Sequence, residues 1–186
     1  MEDWNPRLCT FNPFKTCDGI LLEGKVHGIK KSVDFMNMYA PYKDQRSFWD
    51  KFDDSHLLSL ENLVIVRNLN LTLHSFENWG TTPPIDPLFD YFLDLFKKHR
   101  LVDIFPTKLS HTWKRKKKGG EGVGKRLDRF FMKDSLLDHY LKYRSCVIHT
   151  HLSDCFPIAL QFEEEPLDLN IPFKFDHSWL KNQDFC

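Results

Sequence analysis

The stretch Glu61–Leu73 constrains the fold of this chain more than any other part of the sequence. Four apolar residues, Leu63–Val66, stand without a polar interruption and are followed at once by the polar turn Arg67–Asn70. A short apolar run that ends in polar residues is typical of a strand buried on both faces of a sheet. Functional side chains in α/β proteins gather where such strands end, so the sequence predicts a functional site at this turn.

Three further motifs accompany this turn. Tyr39–Pro41 follows an earlier predicted strand, Arg126–Arg129 (Arg-Leu-Asp-Arg) lies in a later one, and Ser153–Cys155 (Ser-Asp-Cys) precedes the last. With Arg67–Asn70 they resemble, in the same order, the motifs of the endonuclease/exonuclease/phosphatase superfamily of metal-dependent phosphodiesterases. The greatest resemblance is to the endonuclease domain of plant LINE-type retrotransposons, and it covers residues 19–180.

The resemblance implies an α/β (α+β) fold in which two mixed β-sheets pack face to face with flanking helices. In the family, strands carrying an asparagine and a metal-binding glutamate precede the tyrosine motif, so we expect the first strands to be missing from an N-terminally truncated domain. The expected organisation is an irregular lead-in (1–18), a partial nuclease domain (19–163) and a linker-like tail (164–186).

The missing strands would leave one sheet edge open. Pro6 and Pro13 make the lead-in a poor hydrogen-bonding partner for that edge, because proline has no backbone N–H to donate. Unpaired edges favour association between chains, so we expect possible self-association of the isolated chain.

The family turn reads Gly-Asp-Leu-Asn, whereas this chain reads Arg67-Asn68-Leu69-Asn70. The resemblance implies that Asn70 holds the phosphate and that Asn68 replaces the aspartate that activates water. An amide cannot act as that base. The phenol of Tyr39 would donate a hydrogen bond to the phosphate.

The two later motifs complete the implied site. Asp128 corresponds to an aspartate that orients a histidine, Asp154 to an aspartate that supports Mg²⁺, and Cys155 to the histidine that contacts the phosphate. A thiol can neither be oriented as an imidazole is nor donate strongly to an oxyanion. The candidate catalytic residues are therefore Tyr39, Asn68, Asn70, Asp128, Asp154 and Cys155, with Asp154 also the candidate metal ligand.

The function implied by the resemblance is that of a Mg²⁺-dependent DNA endonuclease domain of a retrotransposon, catalytically impaired or inactive in this copy. Two alternatives stand beside it: a non-catalytic nucleic-acid-binding remnant, and a relic domain with no function. DNA is the expected partner in the first two cases.

A basic run after Trp113 is the candidate nucleic-acid-binding segment. A solvated surface loop accounts for such a run equally well, but between two motif-bearing strands of a nuclease-like fold it would contact phosphates. Its members are Lys114, Arg115, Lys116, Lys117 and Lys118.

Two other patterns do not predict sites. Gly119–Lys125 matches G-x-x-x-x-G-K, but Arg126 follows where a phosphate-binding loop needs serine or threonine, so no nucleotide cofactor is expected. His149 and His151 could be drawn into a zinc cluster with Asp154 and Cys155, but a second ligand pair is absent from the sequence, and solvated or satisfied histidines are expected.

The remaining sequence predicts helices and strands in alternation, with several strand pairs that lack an intervening helix and hence a mixed sheet. The predicted helices are Asp44–Leu58, Asp86–Arg100 and Ser135–Leu141, with a loop at 68–84. The predicted strands besides Leu63–Val66 are Gly19–His27, Val33–Tyr39, Leu101–Phe105, His111–Trp113, Leu127–Met132, Arg144–His149 and Pro157–Phe162.

Composition limits the cellular setting. Lys and Arg together number 26, as do Asp and Glu, so any signal for a polyanion must be local. Five scattered cysteines without a C-x-x-C pair argue against a disulfide framework and favour a reducing compartment. With no apolar run long enough for a membrane span, we expect a soluble intracellular protein of the nucleus or cytoplasm with no membrane partner.

Overall fold

The computed structural model describes residues 5, 7–16, 19–29, 31–38, 41, 43–80, 86–115, 122–137, 142–150 and 153–163. Three sets of predicted features lie outside the described residues: Tyr39, Lys116–Lys118 and the tail 164–186.

Eleven strands and three helices are found in the described residues. The strands are β1 (Cys9–Lys15), β2 (Gly19–Val26), β3 (Val33–Met38), β4 (Leu63–Asn68), β5 (Asn78–Trp79), β6 (Leu101–Ile104), β7 (Trp113–Arg115), β8 (Val123–Lys125), β9 (Asp128–Lys133), β10 (Lys142–Val147) and β11 (Ile158–Glu163). The helices are α1 (Gln45–Asp54), α2 (Phe89–Lys98) and α3 (Asp134–Leu137).

The main sheet has six strands in the order β1-β2-β3-β4-β9-β6. It is mixed, as predicted, because β3 and β4 run parallel while the other neighbours run antiparallel. The strand β4 is central, and Leu63, Val64 and Ile65 are fully buried. Its apolar run therefore packs on both faces of the sheet.

The prediction of an irregular lead-in at 1–18 is wrong for residues 9–15. Strand β1 pairs with β2 along its whole length, from Cys9 opposite Val26 to Lys15 opposite Ile20. Pro13 is tolerated because β1 is an edge strand, where a missing N–H can face away from the ladder. The lead-in therefore does supply a pairing strand for β2, contrary to the expectation drawn from its prolines.

Helices α1 and α2 cover one face of the main sheet. Their buried aromatic residues Trp49, Phe52, Phe92 and Phe96 form one core with apolar residues of the sheet, among them Phe131 of β9. Trp49 contacts Phe92 edge-on, with ring centroids 5.3 Å apart. The aromatic spacing of three and four residues that predicted these helices is thus the spacing of the buried face.

The opposite face of the main sheet packs against the two-stranded sheet β10-β11. Val64 of β4 and Phe130 of β9 form a second core there with Ile158, Leu160 and Phe162 of β11. A third sheet, β5-β8-β7, lies beside the site described below. The chain therefore has the predicted α+β fold of mixed sheets packed face to face with flanking helices.

Several predicted element bounds need correction. Helix α1 ends at Asp54 rather than Leu58, because His56 takes a left-handed conformation (φ 62°) before a 3₁₀ turn at Leu57–Ser59. The predicted loop after β4 contains a 3₁₀ turn at Ser75–Glu77 and strand β5.

Two corrections concern the later part of the chain. Helix α2 begins at Phe89, and Asp86 accepts a hydrogen bond from the N–H of Leu88 instead of capping the helix. The predicted basic loop begins inside strand β7, which contains Lys114 and Arg115.

None of the helices in the described residues is long and apolar enough to cross a membrane.

Candidate functional site

The turn after β4 is held in a fixed conformation by its own side chain. The Asn70 N–H donates to Oδ1 of Asn68 at 2.7 Å, and the Leu69 N–H donates to the Leu127 carbonyl at 2.9 Å. Asn70 has a left-handed backbone (φ 57°), which asparagine adopts more readily than most residues. The two asparagines that resemble the family motif therefore belong to one closed turn.

Asp128 faces this turn from the neighbouring strand. Asn68 of β4 and Asp128 of β9 are direct partners across the antiparallel ladder, and the Asn68 side chain hydrogen-bonds to the Asp128 carboxylate. Burial raises the pKa of Asp128, and hydrogen bonds from Thr112 and Asn68 oppose this increase only in part. Both motifs thus meet at one point of the sheet.

Thr112 is a site residue that the sequence did not single out. Its buried hydroxyl oxygen accepts from the N–H groups of Leu127 and Asp128 at 2.9 and 3.0 Å, and its side chain also hydrogen-bonds to the Asp128 carboxylate. Thr112 therefore fixes both the backbone and the side chain of Asp128. Only its position before Trp113 in a predicted strand preceded this finding, and that pattern carries no signal for the role.

Cys155 lies close to Asp128. Its backbone N–H donates to the Ser153 hydroxyl at 3.1 Å, and it forms an isolated bridge with Trp113. Partial desolvation, followed by the negative charges of Asp128 and Asp154, raises the pKa of the Cys155 thiol. The structure therefore brings Asn68, Asp128 and Cys155 into one neighbourhood, with Cys155 as a neutral thiol near pH 7.

Asp154 is exposed, and its carbonyl accepts from the N–H of Lys114 at 2.9 Å. That bond places the beginning of the basic run next to the Ser-Asp-Cys motif. The Lys114 ammonium lies 4.9 Å from the ring centroid of Phe156, and Arg115 is exposed. Of the candidate binding residues, these two lie on β7.

The donor set does not fit the expected Mg²⁺ ion. Hard divalent cations are held in proteins by several oxygen ligands, mainly carboxylates. Across the described ranges, no three His, Cys, Asp or Glu side chains are grouped so that they could hold a metal ion. Asp154 remains a metal ligand only by resemblance.

A buried ion network supports the site from below, and sequence reasoning missed it. Glu77 is fully buried and accepts from Arg126 at 2.7 Å and from Arg129 at 2.5 Å. Asp103 accepts from the same two arginines at 2.6 Å each. Because these arginines flank Leu127 and Asp128, the network fixes the start of β9.

Glu77 also ties the loop after the asparagine turn to this network. Its Oε2 accepts from the N–H groups of Leu73 and His74 at 2.9 and 3.0 Å. Burial by itself raises the pKa of Glu77, but the hydrogen bonds and charges of Arg129 and Arg126 lower it overall. Glu77 is therefore ionised and joins the loop to β9.

Arg67 is a buried cation without an anionic partner. Its guanidinium stacks over the indole of Trp49, 4.3 Å from the ring centroid, and Nε donates to the Asn68 carbonyl at 3.1 Å. Among the described residues, no hydrogen-bond partner meets Nη1 or Nη2. Burial lowers the pKa of Arg67 to about 9, so the side chain keeps its charge at neutral pH.

No family model matches this chain, and no curated protein does. Among solved structures, it is similar to the endonuclease domain of TRAS1, a telomere-specific non-LTR retrotransposon. The identity is 13%, the TM-score is 0.62, and the match covers 83% of this chain and 68% of that domain. The similarity shows that the chain has the fold of a retrotransposon endonuclease domain, which is the endonuclease/exonuclease/phosphatase fold.

Two other structures match at lower TM-scores. Beta toxin of Staphylococcus aureus has 15% identity and a TM-score of 0.47, with 78% of this chain and 57% of that chain covered. Truncated TDP2 of Caenorhabditis elegans has 17% identity and a TM-score of 0.42, with 82% and 67% covered. Similarity at this level adds no argument to that from TRAS1.

Proposed function

We propose that this chain is a nuclease-like domain derived from the endonuclease of a plant LINE-type retrotransposon, with DNA as its ligand and with hydrolysis impaired. The observation that carries the proposal is the meeting of Asn68, Asp128 and Cys155 around Thr112. These positions correspond to the residues that the family uses on a phosphodiester. Two of the three carry the wrong side chain for that chemistry.

The local hydrogen bonds explain why a proton acceptor for water is missing. The Asn68 amide accepts from the Asn70 N–H and donates to the Asp128 carboxylate, and an amide does not take up a proton near neutral pH. Asp128 is already engaged by Thr112 and Asn68. A neutral Cys155 thiol cannot replace an imidazole as a donor to a developing oxyanion.

Mg²⁺ enters the proposal only by resemblance. Bound beside Asp154, it would supply charge neutralisation for the phosphate. Because the described donor set does not fit it, we route no step through the metal, and metal dependence is left to the assay below.

The first prediction is that the purified chain does not nick supercoiled plasmid with Mg²⁺ or Mn²⁺. Loss of a general base lowers the rate by about 10²- to 10⁴-fold, and loss of the histidine adds a comparable, non-additive factor. Conversion of supercoiled to open-circular DNA on agarose gels measures the activity, with Asp154→Ala as the matched control. Nicking by the wild type that Asp154→Ala abolishes would overturn the prediction.

A double variant extends this experiment. Asn68→Asp with Cys155→His restores the family residues, yet we expect nicking to stay below detection because the metal glutamate of the family has no counterpart here. The new carboxylate would also face Asp128 within hydrogen-bonding distance, where two like charges disfavour joint ionisation. Restored nicking would show that the metal site is complete.

The alternative of a non-catalytic nucleic-acid-binding domain is favoured by the position of Lys114 and Arg115 on β7, next to the Ser-Asp-Cys motif. The second prediction tests the rest of the basic run. Duplex affinity should fall steeply with salt, by a slope of about −0.9 per phosphate neutralised, and alanine at Lys116, Lys117 and Lys118 should flatten it. An unchanged slope would make the run a solvated loop, and no duplex binding at all would favour the relic domain.

A further inference from the structure

A cluster of basic side chains surrounds Phe156, the residue that follows Cys155. The ring centroids of His111 and His149 lie 5.3 and 5.1 Å from that of Phe156, and the Lys114 ammonium lies 4.9 Å from it. We call His111, His149 and Lys114 the Phe156 cluster. Phe156 itself is buried, so it holds the three side chains at a common site.

The packing around His111 fixes the position of its ring. The ring contacts Trp79 edge-on at 5.6 Å between centroids and lies against the backbone of Gly124. A Cβ atom added at Gly124 would lie 3.0 Å from Cγ of His111, a contact tighter than side chains normally make. The glycine therefore leaves the space that the imidazole occupies.

The charges in the cluster repel one another. The ring centroids of the two histidines are 6.0 Å apart, and burial, His149 and Lys114 together lower the pKa of His111. In the described part of the chain, none of the ion pairs includes a member of this cluster. Nε2 of His149 lies 3.2 Å from the Ser110 hydroxyl, a neutral partner. A set of cations without carboxylates is relieved by an anion.

The cluster lies beside the proposed catalytic residues. The Phe156 N–H donates to the Thr112 carbonyl at 2.7 Å, and Thr112 holds Asp128. The Lys114 N–H donates to the carbonyl of Asp154. The imidazole that is lacking at position 155 therefore has two neighbours that reach the same part of the surface from β7 and from the segment after β10.

We propose that the Phe156 cluster is a phosphate-binding site that takes a phosphodiester of the nucleic-acid backbone. His111 and His149 donate N–H groups from their protonated rings, and Lys114 supplies a fixed charge. The proposal rests on the proposed function, because it names the residues that bind the ligand of that domain. It adds two histidines that the sequence pattern alone favoured as solvated or satisfied.

The test begins with imidazole NMR spectra at pH 6, recorded while inorganic phosphate replaces chloride at constant ionic strength. The ring signals of His111 and His149 should shift saturably, and those of the exposed His27 should not. Equal shifts of all three rings would show a general ionic effect and overturn the proposal.

The second arm distinguishes nucleic acid from free phosphate. Fluorescence anisotropy with a short labelled duplex at pH 6 should show about five- to tenfold weaker binding by the double variant His111→Gln/His149→Gln. His27→Gln should bind as the wild type does. The single variant His149→Gln, at an exposed position, should show part of the loss and keeps the test valid if the double variant unfolds.

The outcomes separate the two proposals. Equal duplex binding by wild type and by both His149 variants overturns the phosphodiester assignment and leaves the nuclease-like domain standing, even if inorganic phosphate shifts the rings. Absence of duplex binding by every variant overturns both proposals. Selective loss in the His149 variants supports the cluster whether or not the chain nicks plasmid.

Discussion

Replacing Glu77 by glutamine should lower the free energy of unfolding by about 3–5 kcal/mol, the usual effect of removing one partner from a buried ion pair. Glu77 is the only fully buried carboxylate among the described residues, and two buried arginines donate to it. The amide keeps the size of the side chain but removes its charge, so Arg126 and Arg129 would share Asp103 alone. Domains of this size are stable by only about 5–15 kcal/mol, so the variant should be close to unfolding at 37 °C.

The acid dependence of stability should change with it. The folded-state pKa of Glu77 is lowered, so its ionised form stabilises the fold above its unfolded-state pKa. That contribution is lost as the pH falls through the folded-state pKa. Wild type should therefore lose stability in acid more steeply than Glu77→Gln, which has no proton to gain at this position.

Urea unfolding followed by circular dichroism at pH 7 and at several acidic pH values measures both effects. Glu61→Gln is the matched control, because the Glu61 side chain is exposed and the same change should shift stability by less than about 0.5 kcal/mol. A Glu77→Gln variant as stable as Glu61→Gln would mean that the network does not hold the loop to β9.

The elements that the sequence predicted are those in which each residue acts locally. The apolar run of β4 and the aromatic spacing of α1 and α2 are visible in the sequence because period and burial coincide there. Strand β1 was missed because its side chains are mostly exposed and it contains a proline, so its pairing with β2 depends on the partner strand. Edge strands of this kind carry a weak pattern.

The same distinction holds at the site. The motif order brought Asn68, Asp128 and Cys155 to attention, and the ladder and the charges place them together. Thr112, Glu77 and the Phe156 cluster escaped notice because their roles arise from contacts between residues tens of positions apart, such as Arg129 and Glu77. Single-sequence periodicity carries no record of such contacts.

Arg67→Met should have the opposite sign and raise the free energy of unfolding by about 1–3 kcal/mol. Arg67 is 2% exposed, and its Nη atoms lack hydrogen-bond partners in the described part of the chain, so the fold bears the desolvation of a charge with little return. Stacking on Trp49 offsets part of this penalty, by about 0.5–2 kcal/mol. Methionine keeps an unbranched apolar side chain that can fill the space against the indole.

Arg129→Met provides the contrast that makes this prediction specific. Arg129 is as buried as Arg67 but is paired with Glu77 and Asp103, so the same substitution should destabilise the fold by about 3–5 kcal/mol. Urea unfolding of both variants at pH 7 compares them directly. A loss of stability in both would show that Arg67 has a counter-charge or packing role that its unpaired Nη atoms do not reveal. A gain for Arg67→Met and a loss for Arg129→Met would establish that pairing, rather than burial, decides whether an arginine stabilises this core.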